Sequence, residues 1–340
     1  MIGKVFPEGN KWTDLARDYI AEFGDLAEIE RRWLQYKNQH SILAGFSQTV
    51  AEIMTASFTE LVAISQQFRN LPNTTEAEKR ELRTIKEYLK RKVFNYDCRI
   101  KGCRPHQGII SKFFQKKMDE LNVHTCFYCD MAYINPFVDG TDSKSQFDLD
   151  HAIAKGDCPI TALSLHNFVP SCPVCNQRLK HKKPLAANDA DLMSVAPCSE
   201  LFDADKNIYF KIVQDKACTG GFMKHRENYT VKVVARGKYD TYAKLFHLEE
   251  RYEFHKGEAL RLLDLKRNYP TSNLKKIANM LHKTTEEVRE DIFGLGYSKD
   301  NHRCFDKMKR DTGISAKEAH GHLIVIHRSG NIQHLPNVIG

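Results

Sequence analysis

No long apolar run occurs in this sequence. The most apolar stretch, residues 42–64, is interrupted by Gln48, Glu52 and Glu60. A membrane-spanning helix needs about 20 consecutive apolar residues, so that stretch is not a span and no membrane association is expected. The opening residues, MIGKVFPEGNKWTDL, lack the apolar core of a secretory signal, and a cytoplasmic location is expected. Internal repeats and low-complexity segments are also missing, which excludes repeat architectures. Acidic side chains are in deficit, 43 against 51 Lys and Arg, leaving a formal charge of +8. With 340 residues the chain is too long for one small core and suits two or three modules.

The basic excess is clustered. Residues 79–104, KRELRTIKEYLKRKVFNYDCRIKGCR, carry ten basic side chains against three acidic ones, and RLKHKK follows at 178–183. Such clusters suit a polyanion or the solvated face of a helix. Ten cysteines are many for a chain without a secretory signal. They should be thiols or metal ligands, not disulfides. Four of them form two CxxC pairs, Cys126/Cys129 in CFYC and Cys172/Cys175 in CPVC. Cys98, Cys103 and His106 offer no evident fourth ligand, so buried structural thiols are expected there.

Three regions follow from the patterning. Residues 1–121 are mostly helical, with apolar residues at three- and four-residue spacing over 12–70. A further helix starts at Thr74 or Thr75 and runs to about Val93, and another covers 109–121. Residues 122–184 mix turn residues with short strand-like runs and end in a helix after CPVC. Residues 185–340 combine an alternating strand pair, 207–213 and 229–237, with a long helix from Tyr239 to about Asn268 and a terminal hairpin over 321–335. Residues 274–289 imitate a helix-turn-helix. The would-be recognition helix carries Glu286, Glu287, Glu290 and Asp291, the wrong sign for a phosphate-lined groove, so a plain helical hairpin is expected. The fold class is α+β.

The chemistry concentrates between the two CxxC pairs, which 42 residues separate. Four thiolates in this spacing predict a closed tetrahedral zinc site with a structural role. Inside the loop it closes lie Asp150-His151, in FDLDHAIAKG, and Asn167; Asn176 follows Cys175 directly. Metal-assisted phosphodiester hydrolysis needs such a set. His151 suits the general base, Asp150 and Asn176 are oxygen ligands for one magnesium or manganese ion, and Lys180, Lys182 and Lys183 are candidates for backbone phosphates. Asn176 and Lys180 are four apart and share a helix face. Alternation puts Asp148 on the Asp150 face.

CFYC, LDHAIAKG and LSLHNFVPSCPVCNQRLK together resemble the HNH endonucleases of the ββα-metal superfamily, in the subgroup with paired CxxC zinc knuckles. The likeness covers about residues 122–184. It implies a ββα module in which His151 is the general base, Asp150 and Asn176 hold the catalytic metal, and Asn167 braces the loop carrying the base. It also implies cleavage of nucleic acid, double-stranded DNA first among the candidates. CFYCDMAYI, LFDADKNIYFKI and FHLEERYEFHKGEALRLL give a weaker likeness to bacterial HNH proteins, some of which are partners of ATPases in antiphage defence. His166 is expected to be a packing or surface residue. An RNase, and a non-catalytic zinc-stapled module binding nucleic acid or protein, stand as the alternatives.

Overall fold

Helix starts in the N-terminal third are encoded as capping boxes. Thr49 with Glu52, Ser57 with Glu60 and Thr75 with Glu78 exchange side-chain and backbone hydrogen bonds. These satisfy donors that a helix N-terminus otherwise leaves open. They begin the helices Val50–Thr55, Phe58–Arg69 and Glu76–Tyr88. The last continues through a wider turn, Leu89–Val93, to the expected end. The computed structural model describes residues 5–7, 9–102, 104–121, 123–293 and 304–311. Cys103 and the terminal hairpin expected over 321–335 lie outside the described residues.

The chain divides into two compact units. One comprises residues 3–123 and 134–202, the other residues 1–2, 124–133 and 203–340. Among the described residues, helices and three separate two-stranded antiparallel sheets make the fold α+β. Among the described residues, no helix is long and apolar enough to cross a membrane.

The first unit holds the helices Asn10–Ala21, Leu26–Gln39 and Gln107–Lys116 beside the three above. It also holds the hairpin β1 (Pro136–Asp139) and β2 (Asp142–Ser145), and the pair β3 (Asp148–His151) and β4 (Phe168–Ser171). Trp33 packs edge-on against Phe94 at 5.4 Å, and Phe114 against Phe168 of β4 at 5.9 Å. The N-terminal helices also grip the loop between β3 and β4 through polar contacts. The Tyr19 hydroxyl donates to the Leu163 carbonyl at 2.7 Å, Ser164 Oγ to the Ile53 carbonyl at 2.8 Å, and His166 Nδ1 to the Ala56 carbonyl at 2.8 Å. His166 stacks on Trp12 at 3.7 Å and is a buried packing residue.

In the second unit, β5 (Ile208–Gln214) pairs with β6 (Tyr229–Ala235). Ile208, Phe210 and Ile212 are buried, with less buried residues between them, as a half-buried strand requires. The single helix expected from Tyr239 to Asn268 is three helices, Tyr239–Leu245, Leu248–Phe254 and Lys256–Asn268. His247 adopts the left-handed conformation (φ 47°) and breaks the first from the second. Each break re-aims the chain so that Tyr242, Phe246, Leu248, Tyr252, Leu260 and Leu262 are all buried. The helices Thr271–Leu281 and Thr285–Phe293 enclose Leu274, Ala278, Val288 and Phe293. His282 (φ 53°) takes the left-handed position a glycine would ordinarily fill.

Candidate functional site

Four buried cysteines, Cys126, Cys129, Cys172 and Cys175, bring their sulfurs within 4.8 Å of one another. None forms a disulfide. Around a tetrahedral zinc with Zn–S near 2.3 Å, sulfurs lie roughly 3.8 Å apart, so the set can hold a metal such as zinc. The first pair sits in a tight turn. The Asp130 amide donates to the Cys126 carbonyl at 2.8 Å, and the Cys126 amide to the Ala132 carbonyl at 2.9 Å. Asp130 is buried and left-handed (φ 57°); its carboxylate accepts from Thr125 Oγ1 at 2.9 Å and from the Lys307 amide at 3.1 Å. Tyr242 and Tyr252 hydroxyls donate to the carbonyls of Tyr128 and Cys129, at 3.0 and 2.8 Å. The second pair begins a short wide-turned helix, Val174–Lys180, directly after β4.

The order β3, β4, helix Val174–Lys180 forms a small ββα arrangement. Across the strands, Asp148 faces Ser171, Asp150 faces Val169 and His151 faces Phe168. Two residues along a strand advance about 7 Å and four along a helix about 6 Å, so alternate strand positions can match one helix face. They do so here. Asn176 Nδ2 and Gln177 Nε2 donate to Asp148 Oδ2 at 3.1 and 2.9 Å, and Lys180 Nζ lies 3.0 and 2.9 Å from the two oxygens of Asp150.

His151 is buried at the end of β3, with ring contacts to Tyr96 at 4.7 Å and Phe168 at 4.9 Å. Nε2 lies 3.0 Å from the Ala162 carbonyl. A carbonyl only accepts, so Nε2 carries the proton and Nδ1 the lone pair. Burial pulls the pKa down to about 3; the Ala162 hydrogen bond opposes this, and the nearby cations of Lys155 and Lys180 reinforce it. The ring is therefore neutral at ordinary pH, with Nδ1 able to accept a proton.

Asn167 clips the loop that follows His151. Its Oδ1 accepts from the Ile153 amide at 2.7 Å, and Nδ2 donates to the carbonyls of Ile153 and Thr161 at 2.9 and 3.1 Å. Its own carbonyl accepts from the Ala152 amide at 3.0 Å. The side chain is fully buried, so the bonds have no competition from water. Lys155 and Gly156 lie in the next turn, closed by the Asp157 and Cys158 amides on the Ala154 carbonyl.

Asp150 and His151 at the end of β3 and Asn167 in the turn just before β4 are all buried, while Asn176 is half-buried and bonded to Asp148. The carboxylate and amide oxygens have the hard-donor chemistry of a magnesium or manganese site. The ammonium of Lys180 is in contact with Asp150. Lys180 is buried in this pair, so the surface position expected of a phosphate contact belongs only to Lys182 and Lys183, which are exposed. The i, i+4 rule brought Lys180 to the Asn176 face but not the depth of that face.

Sequence reasoning missed Tyr96. It comes from the basic segment 79–104, packs edge-on against His151, and carries the Lys155 ammonium 4.6 Å above its ring. Burial, then the charges of Asp97 and Asp148, raise its phenol above the ordinary range. Lys155 also pairs with Asp97. A buried-looking Tyr-Asp within ten cations was the only available signal. His106 is buried between the Asn95 carbonyl (2.9 Å) and Asp25 (3.2 Å), a polar clasp with no metal cluster around it among the described residues. Compared with family models, with curated proteins and with solved structures, the chain matches none.

Proposed function

We propose that this chain is a metal-dependent endonuclease of the HNH type, hydrolysing phosphodiester bonds in nucleic acid, double-stranded DNA first. The observation that carries the reading is His151: a neutral ring with Nε2–H fixed on the Ala162 carbonyl and Nδ1 unprotonated, one residue from Asp150. Zinc in the four-cysteine cluster is structural, because all four positions are filled by protein. In the reaction, a water oxygen bonds to phosphorus and the bond from phosphorus to the 3′ oxygen breaks. His151 Nδ1 takes the water proton, and the leaving oxygen takes a proton from solvent. The charge of an incoming phosphate raises the basicity of the ring, and the Ala162 carbonyl stabilises the imidazolium. Asn167 keeps the loop, and so the carbonyl, in place. Asp150 and Asn176 would hold a divalent ion, whose chemistry is to neutralise charge on the phosphate and leaving oxygen. Exposed Arg178, Lys182 and Lys183 suit flanking phosphates.

Cleavage of supercoiled plasmid with magnesium or manganese, comparing wild type with His151→Ala, tests the assignment. Nicking by wild type and a loss of at least about 100-fold in the variant are expected; equal rates sink it. Single-stranded RNA and tRNA in the same buffer distinguish an RNase. The burial of Asp150 with Lys180 favours a second reading, a non-catalytic zinc-stapled binding module. That reading wins if the chain binds DNA and never cuts it.

A further inference from the structure

We propose that Lys180 is a resident counter-cation of Asp150 that a divalent ion must displace, so that the resting site is latched without its metal. The inference rests on the reading of Asp150 as a metal ligand and adds what controls access to it. The Lys180 ammonium touches both carboxylate oxygens, at 3.0 and 2.9 Å, and the His151 carbonyl at 3.3 Å. The pair is deeply buried, with side-chain exposures of 6% for Lys180 and 8% for Asp150. These are the oxygens that a hard cation would use, and a metal ion bound to them would lie close enough to the ammonium for the two like charges to repel in a buried site.

The local backbone explains why this lysine points inward and its neighbours do not. The helix Val174–Lys180 is wound wider than an α-helix, and the His181 amide closes it on the Asn176 carbonyl, five residues back, at 2.7 Å. The wide turn sets Lys180 over Asp150, and the positive φ of His181 (46°) ends the helix immediately afterwards. Lys182 and Lys183 fall in the exposed turn beyond. Removing either partner of a buried ion pair leaves an uncompensated charge, so Lys180 stays until another cation replaces it. A divalent ion carries twice the charge. The lysine has a flexible four-carbon stem on the last helical residue, from which its ammonium can swing to solvent. The latch therefore needs no change of fold to open.

The test is manganese binding to the full zinc-loaded chain, followed by the loss of the free-ion paramagnetic resonance signal, with no nucleic acid present. Lys180→Gln removes the competing charge and keeps a neutral donor for Asp150. It should bind manganese at least tenfold more tightly than wild type, and Asp150→Asn added to it should abolish the gain. Lys180→Arg, which keeps the charge, should bind no better than wild type. In wild type, Lys180 should resist amine acetylation until manganese is added, as read by peptide mass spectrometry. Equal manganese affinity in wild type and Lys180→Gln, no binding by either, or a gain that survives Asp150→Asn overturns the latch. Cleavage by wild type together with equal affinities overturns the latch and leaves the nuclease reading standing. A gain in Lys180→Gln with no cleavage by any variant leaves the latch and overturns the nuclease reading.

Discussion

Replacing Asn167 tests whether one side chain holds the loop that follows His151. Its amide meets one N–H and two carbonyls, at 2.7, 2.9 and 3.1 Å, in a fully buried position. Asn167→Ala orphans all three. An unpaired buried polar group costs about 1–3 kcal/mol, and partial relaxation brings the sum to about 3–5 kcal/mol. Asn167→Asp is more informative. One carboxylate oxygen still accepts from the Ile153 amide, but the other faces two carbonyl oxygens where a donor stood. The charged form is disfavoured, so the introduced carboxyl has a folded-state pKa above its unfolded value of about 3.9.

The sign follows from linkage. A raised folded pKa means that the protonated form, which can still donate, is the compatible one. Its contribution is present below the unfolded pKa and is lost as pH rises through the folded pKa. The stability gap between wild type and Asn167→Asp should therefore be small near pH 4 and widest above pH 7; a shift of three units would make it about 4 kcal/mol. Urea unfolding of both proteins at matched zinc, from pH 4.5 to 7.5, measures the gap, and taking the difference removes acid effects they share. An unchanged gap across that range, or equal stability at pH 7.5, refutes the clip.

The depressed pKa of His151, about 3 against about 6.5 unfolded, predicts acid sensitivity. Stability on its account is full above pH 6.5 and falls toward pH 3, by about 2 kcal/mol at pH 5; urea unfolding against pH should show a shallower acid slope in His151→Gln, and equal slopes refute it. A zinc chelator should withdraw about one equivalent of metal and destabilise the chain, with Cys126→Ser and Cys172→Ser each retaining less than half an equivalent by elemental analysis. His247→Gly relieves a left-handed histidine and should raise stability by up to about 1 kcal/mol, read as an increase in melting temperature.

How far the fold is legible from sequence depends on whether the signal is local. The capping boxes and the β5–β6 alternation are local patterns, and the elements stand where those patterns lie. The long helix over Tyr239–Asn268 failed for the same reason. Its apolar spacing reads as continuous, but His247 takes the left-handed conformation, which is uncommon for any residue other than glycine and has no pattern in the sequence to mark it. The division into units is a property of distant contacts, and no composition shift marks residues 124–133.

The site shows the same boundary at the level of single residues. Spacing was enough to group the four cysteines, because a CxxC turn presents both thiols to one point. Alternation was enough to put Asp148 and Asp150 on one face. What spacing lacks is depth. Lys180, Lys182 and Lys183 are indistinguishable by residue type, yet one extra residue in the helical turn buries the first against Asp150 and leaves the other two in water. The consequence is chemical. A surface lysine adds a small, salt-screened attraction for phosphate, whereas the buried one is itself a cation in contact with Asp150.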